Sequence, residues 1–154
     1  MGRSSLGADL GAKALRTRWL VRAPILLYRA GFGFLFGRRL LMLEHLGRSS
    51  GQRRYVVLEV VDQPAVDEYV IVSGFGVKAQ WYRNIVANPA VRISTGFRRG
   101  VPATATPMTE ADSARALADY AERHPRAWKQ LRATIEQATG APVDTLPMVR
   151  LRVR

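Results

Sequence analysis

A short polar turn between two apolar runs holds the most chemically useful side chains of the sequence. The turn spans residues 47–54, which are Gly47, Arg48, Ser49, Ser50, Gly51, Gln52, Arg53 and Arg54. Glycine permits the unusual backbone angles of a tight turn, and arginine offers forked donors suited to phosphate and carboxylate. We call residues 47–54 the basic turn, and its composition predicts a cradle for an anion. An ordinary solvated hairpin with surface arginines explains the same residues.

Catalytic side chains are scarce elsewhere. The sequence has no cysteine, which excludes disulfides, thiolate nucleophiles and cysteine-bound metals. The two histidines, His45 and His124, are far apart in sequence, and Glu44 and His45 are strand neighbours that point to opposite faces. A Walker or dinucleotide glycine loop is also absent. An enzyme with this sequence therefore has to obtain its chemistry from a cofactor.

A second glycine-bearing loop follows an apolar strand. It contains Ser73, Gly74, Phe75 and Gly76 and leads into a helix predicted over 81–88, which Pro89 ends. Free amides at the start of a helix suit an anion or the polar edge of a ring. A plain connection between a strand and a helix is an equally good interpretation of this loop.

The charge of the chain narrows the class of partner. The formal net charge is +12 over 154 residues, which favours nucleic acid, an anionic membrane surface or a polyanionic small molecule. The aromatic residues lie in apolar runs instead of alternating with basic residues on one strand, and this argues against nucleic acid.

The remaining elements have to position these two loops. Apolar runs flank the basic turn within Leu40–Val61, and Tyr69–Val72 is predicted to be a strand buried on both faces. Turns are expected at 62–68 and 96–100. Further strands are predicted at 91–95, 101–106 and 148–153, and helices after the cap Thr109 and from Pro125 to a cap at Gly140.

The N-terminal part of the chain has a different composition. Residues 1–22 are predicted to be a flexible or helical segment, and residues 23–154 a single domain. Arginines and glycines interrupt the apolar run after Pro24, so it is too short to span a membrane. Three aromatic residues near arginines, Phe32, Phe34 and Phe36, either cover the core or touch a membrane surface.

Several of these stretches, taken in order, resemble the deazaflavin-dependent nitroreductase family. They are Leu40–Leu43 before the basic turn, Tyr69–Ser73, Trp81–Asn84 and Ala87–Pro89, with Leu27–Gly31 upstream. The resemblance covers roughly Ala23 to Leu151. It implies an α+β fold, a split β-barrel with flanking helices, that binds the 5-deazaflavin coenzyme F(420).

The resemblance also implies roles for individual residues. Within the basic turn, residues Gly47 to Gly51 would hold the phosphate and the start of the poly-glutamate tail of F(420), with Arg48 as the main charge partner. Val57 and Leu58 would lie along the ring, the loop Ser73–Gly76 would meet its polar edge, and Trp81 and Asn84 would wall the pocket.

The expected activity is transfer of a hydride from reduced F(420) to a small organic acceptor, either quinone-like or nitroaromatic. The rival interpretation is a non-catalytic carrier of a lipid, flavin or tetrapyrrole at a membrane surface. We expect a cytoplasmic protein that can associate with a membrane surface, with no metal and no nucleic-acid partner. By analogy with the fold we also expect a homodimer.

Overall fold

Within the residues that the structure describes, six antiparallel strands close into a barrel. The computed structural model describes Ile25, Arg29 and residues 39–140, 142–143 and 145–154. The strands are β1 (Leu40–Leu46), β2 (Arg53–Ala65), β3 (Glu68–Val72), β4 (Ala90–Thr95), β5 (Arg98–Pro107) and β6 (Met148–Val153). Their order around the barrel is β1-β2-β3-β6-β5-β4, and β4 pairs with β1 to close it. This confirms the predicted α+β barrel.

Three α-helices accompany the barrel in the described part of the chain. They are α1 (Gln80–Ala87), which follows the short 3-10 helix Gly76–Lys78, α2 (Glu110–Arg123) and α3 (Pro125–Thr139). Thr109 caps α2 as predicted, because its side chain accepts a hydrogen bond from the amide of Asp112. Gly140 ends α3 in the left-handed conformation, also as predicted.

The core has two parts because β3 is covered on both faces. Tyr69 and Ile71 point into the barrel, where Trp81 and Ile85 of α1 join them. The alternate β3 residues point outward into a second cluster, in which α2 and α3 pack against the barrel. The members of this outer cluster are Val61, Val70, Val72, Leu117, Tyr120, Ile135, Leu146 and Met148. Burial on both faces explains the uninterrupted apolar run Tyr69–Val72 within β3.

Two predicted turns are shorter in the structure than in the sequence analysis. The turn expected at 62–68 contains only residues 66 and 67, because β2 continues to Ala65. The register of β2 against β3 shifts on either side of Asp62, and such irregularities let a strand accommodate a proline such as Pro64. The turn expected at 96–100 likewise contains only residues 96 and 97, and β5 begins at Arg98.

The predictions for residues 1–22, for the segment after Pro24 and for Phe32, Phe34 and Phe36 lie outside the described residues. Arg29 is described, and its guanidinium lies 4.8 Å from the centre of the Tyr55 ring. None of the helices in the described part of the chain combines the length and apolar character that a membrane span requires.

Candidate functional site

The basic turn is closed by its own backbone. The amide of Gly47 donates to the carbonyl of Gln52 (2.9 Å) and the amide of Gly51 donates to the carbonyl of Gly47 (2.8 Å). Gly51 has a φ of +68°, which is the left-handed conformation that glycine adopts most easily. The amides of Ser49 and Ser50 have no hydrogen-bond partner among the described residues. Two adjacent free amides at a tight turn are suited to an anion.

Helix α1 holds the Arg48 side chain through neutral oxygens. Arg48 Nη1 donates to Asn84 Oδ1 at 2.8 Å, and Nη2 donates to Gln80 Oε1 at 2.9 Å. The backbone amide of Arg48 donates to the same Asn84 oxygen at 3.1 Å. Because amide oxygens carry no formal charge, these bonds fix the guanidinium without neutralising it.

The other two arginines of the turn keep their charge as well. Within the described residues, no carboxylate lies in ion-pair distance of Arg48, Arg53 or Arg54. The ion pairs of the barrel lie elsewhere, for example between Arg150 and Glu68. The basic turn is therefore a region of uncompensated positive charge, which attracts anions.

Asn84 also connects Arg48 to a buried histidine. Asn84 is 2% exposed and His45 is 4% exposed, and Asn84 Nδ2 lies 3.1 Å from His45 Nδ1. Since Oδ1 accepts both bonds from Arg48, the Nδ2 group is the donor toward His45. His45 Nδ1 is then an acceptor, and its proton is on Nε2. Burial, together with the positive charge of Arg54, lowers the pKa of His45 to about 4 and keeps the ring neutral at pH 7.

Two adjoining cavities meet near Arg48, Asn84 and His45. The first, about 320 Å³, lies over the basic turn and is lined by Gly47, Arg48, Ser49, Ser50, Arg54, Gln80 and Asn84. The second is a mainly apolar groove of about 900 Å³. Residues 53–59 of β2 form one side, and the 3-10 helix, the start of α1 and α3 form the other. Arg54 and Gln80 line both cavities. We call the first cavity, over the basic turn, the anion cavity, and we call the second, mainly apolar one the ring groove.

Most of the predicted site residues line one of these cavities. Besides the residues of the anion cavity, the ring groove is lined by Arg53, Arg54, Val57, Leu58, Gly74, Phe75 and Trp81. Gly74 packs closely against α3, because a Cβ atom on it would lie 3.2 Å from Ile135 Cγ1, tighter than an ordinary contact. That these predicted site residues contact a cofactor stays a prediction.

Four predicted residues, Gly51, Gln52, Ser73 and Gly76, line neither cavity. Gly51 and Gln52 close the basic turn through the backbone bonds described above. Ser73 is fully buried, and its hydroxyl donates to the carbonyl of Gly76 at 2.7 Å. Ser73 and Gly76 therefore fold the second loop, and neither lines the ring groove.

The sequence analysis missed several lining residues. It places His45 in a strand-like run and predicts α3 only as a helix, yet His45, Leu131 and Ile135 all line the ring groove. Gln80 could have been found, because it lies one helical turn before Asn84 and thus on the same face of α1. Nothing in the sequence brings α3 next to residues 74 and 75.

The cavities fit a cofactor with an anionic part and a ring. Uncompensated arginine charge and free amides meet an apolar groove large enough for a multi-ring system. The described residues contain no cluster of three or more histidine and carboxylate side chains that could hold a metal ion. Fold and site together are those of a split β-barrel protein with room for an anionic ring cofactor.

Comparison with known proteins identifies the family. The chain belongs to the F(420)H(2)-dependent quinone reductase family, whose model matches residues 27–144. This confirms the resemblance to the deazaflavin-dependent enzymes, and with it the predictions of an F(420)-dependent reductase and of F(420) as the cofactor. A comparison with curated proteins finds no match.

Solved structures with the same fold support the barrel assignment. A protein described as a domain-swapped dimer has a TM-score of 0.56 at 20% identity, over 89% of this chain and 99% of that one. An F(420)-H2-dependent reductase, FDR-A, has a TM-score of 0.53 at 23% identity, over 75% of this chain and 96% of that one. HutZ, the heme storage protein of Vibrio cholerae, has a TM-score of 0.53 at 18% identity, over 79% and 85%.

Proposed function

We propose that this protein reduces a quinone-like acceptor with reduced F(420), which it binds with the basic turn over its anionic part and the ring groove over its deazaflavin. The observation that carries this proposal is the positive charge of Arg48, fixed by the neutral oxygens of Gln80 and Asn84 where the two cavities meet. The name of the family supports a quinone as the acceptor.

The basic turn is proposed to bind the phosphate of the coenzyme. Arg48 supplies a charge-assisted hydrogen bond, and the free amides of Ser49 and Ser50 supply two more donors. Arg53 and Arg54 are exposed, so they would attract the glutamate tail through screened charge. We therefore expect Arg48 to make the strongest contact with the coenzyme.

The ring groove is proposed to orient the deazaflavin and to exclude water. Val57, Leu58, Phe75 and Trp81 provide apolar walls. When bound, reduced F(420) supplies the hydride. The residues of the chain contribute position and a dry surface for the acceptor, which accounts for the lack of a nucleophile or a carboxylate pair.

The quinone reductase is favoured over a carrier of lipid or tetrapyrrole. Although HutZ shares the barrel fold, fold alone does not set function, whereas the family model covers most of the chain. We also propose a homodimer, by analogy with the neighbour described as a domain-swapped dimer.

Steady-state turnover tests the proposed function. The full chain is mixed with reduced F(420) and a soluble quinone, and the return of the absorbance of oxidised F(420) is followed. We expect protein-dependent oxidation that requires the quinone and is slower with a nitroaromatic acceptor. Oxidation that is no faster than the reaction without protein would exclude this function.

A further inference from the structure

The proposed function gives no role to His45, although the hydrogen bonding of its ring is fixed by Asn84. The His45 ring is almost fully buried, yet His45 lines the ring groove. Its Nδ1 atom is bound to Asn84. Its Nε2 atom has no hydrogen-bond partner among the described residues. Nε2 is not among the buried unpaired atoms of the described residues, so the Nε2–H is accessible from the ring groove that His45 lines and can bond a ligand atom there.

We infer that the Nε2–H group of His45 donates a hydrogen bond to an oxygen of bound F(420), at the junction of the anion cavity and the ring groove. This inference rests on the proposed function, because it takes F(420) as the ligand. It adds a binding residue on β1 that lies outside the basic turn.

The position of His45 supports this assignment. In the β1–β2 ladder His45 pairs with Arg54, which lines both cavities. On the other side His45 contacts Asn84, which lines the anion cavity. A ligand that reaches from one cavity into the other therefore passes close to His45.

The network around Asn84 fixes which atom of His45 can donate. Asn84 Oδ1 accepts from Arg48, so Asn84 Nδ2 donates to His45 Nδ1 and the proton stays on Nε2. The lowered pKa of His45 keeps the ring in this single neutral form at pH 7. His45 therefore presents a neutral N–H donor to the ring groove. This donor can bind an oxygen acceptor without adding to the positive charge of the basic turn.

Two substitutions distinguish the roles of the two ring nitrogens of His45. His45→Gln retains an amide donor near the position of Nε2. His45→Asn retains an acceptor near the position of Nδ1 for Asn84 but loses the donor toward the groove. The matched control is His124→Gln, because His124 is exposed and lies between α2 and α3, outside both cavities.

The test combines F(420) binding, measured by fluorescence quenching, with nitrogen NMR of the histidine rings in the full chain. We expect His45→Asn to raise the dissociation constant about 3- to 10-fold, the usual effect of one neutral hydrogen bond. His45→Gln should stay within about twofold of the wild type. In the free protein we expect His45 to carry its proton on Nε2 at pH 7, and this resonance should shift on addition of F(420) while that of His124 does not.

Three outcomes would overturn the inference. They are unchanged binding in His45→Asn, an equal loss in His45→Gln and His45→Asn, and a free-protein ring protonated on Nδ1. If the wild-type protein does not bind F(420), the proposed function fails together with this inference. If the wild type binds and His45→Asn binds equally well, only the inference fails.

Discussion

Asn84→Asp is the substitution that perturbs the centre of the site with the smallest change in shape. Asn84 is 2% exposed, and its Oδ1 accepts bonds from the amide and the Nη1 of Arg48. An aspartate keeps this acceptor, so the turn and α1 should stay joined. The same substitution places a negative charge beside Arg48 and removes the donor that faces His45.

Both consequences can be estimated. The new carboxylate compensates the charge of Arg48, so a charge-assisted bond to the cofactor, worth about 1.5–3 kcal/mol, falls to about 0.5–1.5 kcal/mol. The loss of about 1–1.5 kcal/mol corresponds to roughly tenfold weaker binding of F(420). His45 Nδ1 then faces an oxygen, and this arrangement is stable only when Nδ1 is protonated. The pKa of His45 should therefore rise from about 4 to its ordinary value or above.

The assay measures the two effects independently. Fluorescence quenching gives the dissociation constant of F(420), and NMR titration of the His45 ring gives its pKa. Asn88→Asp is the control, since Asn88 lies at the end of α1 and its side chain binds the amide of Ala90 outside the site. An unchanged His45 pKa together with unchanged F(420) binding in Asn84→Asp would refute the hydrogen-bond network described for Arg48, Asn84 and His45.

Three further predictions concern the charge of the site. Arg48→Ala should weaken F(420) binding about 10- to 150-fold with little change in melting temperature, as one charge-assisted bond is worth about 1.5–3 kcal/mol; equal affinity measured by quenching would mean that the turn is only a hairpin. Because the pKa of His45 in the folded state lies below its ordinary value of 6.5, unfolding favours protonation, so stability should be full above pH 6.5 and fall by up to about 3 kcal/mol as the pH approaches 4. Urea unfolding at pH 7, 5.5 and 4.5 measures this, and the decline over that range should be much smaller in His45→Gln. Finally, F(420) with five or six glutamates should bind more tightly than F(420) with one at low salt, and the difference should shrink at physiological salt; equal binding of the two at low salt would exclude a role for the exposed arginines.

Most of the barrel could be predicted from the sequence. Alternating or continuous apolar runs identified the strands, and local caps such as Thr109 and Gly140 identified the helix ends, because these signals depend on near neighbours in the chain. The turn predicted at 62–68 was too long because Pro64 normally interrupts a strand, and only the pairing of β2 with β3 shows the register shifts that accommodate it.

The site was predictable where its residues are close in sequence. The composition of the basic turn pointed to an anion cradle, and the structure places Arg48 and Arg54 on the wall of the anion cavity. The contacts of Asn84 with Arg48 and His45 span 36 and 39 residues. Such contacts depend on barrel closure, so no local pattern reveals them.

The contribution of α3 was hidden for a related reason. Ile135 belongs to the outer core cluster and also lines the ring groove. An apolar stripe on a helix predicts burial but does not say whether the partner is a strand or a ligand. The lining of the groove by Leu131 and Ile135, and the close approach of Gly74 to Ile135, show that this helix forms one wall of the groove.

The central claim is that the basic turn and the ring groove together bind F(420). It is tested most directly by titrating the full chain with oxidised F(420) and, separately, with flavin mononucleotide, following fluorescence quenching in both. The uncompensated charge of Arg48 beside the exposed Arg53 and Arg54 favours the ligand with more negative charges beyond its phosphate. We expect F(420) to bind more tightly than flavin mononucleotide, whereas tighter binding of flavin mononucleotide would contradict the account.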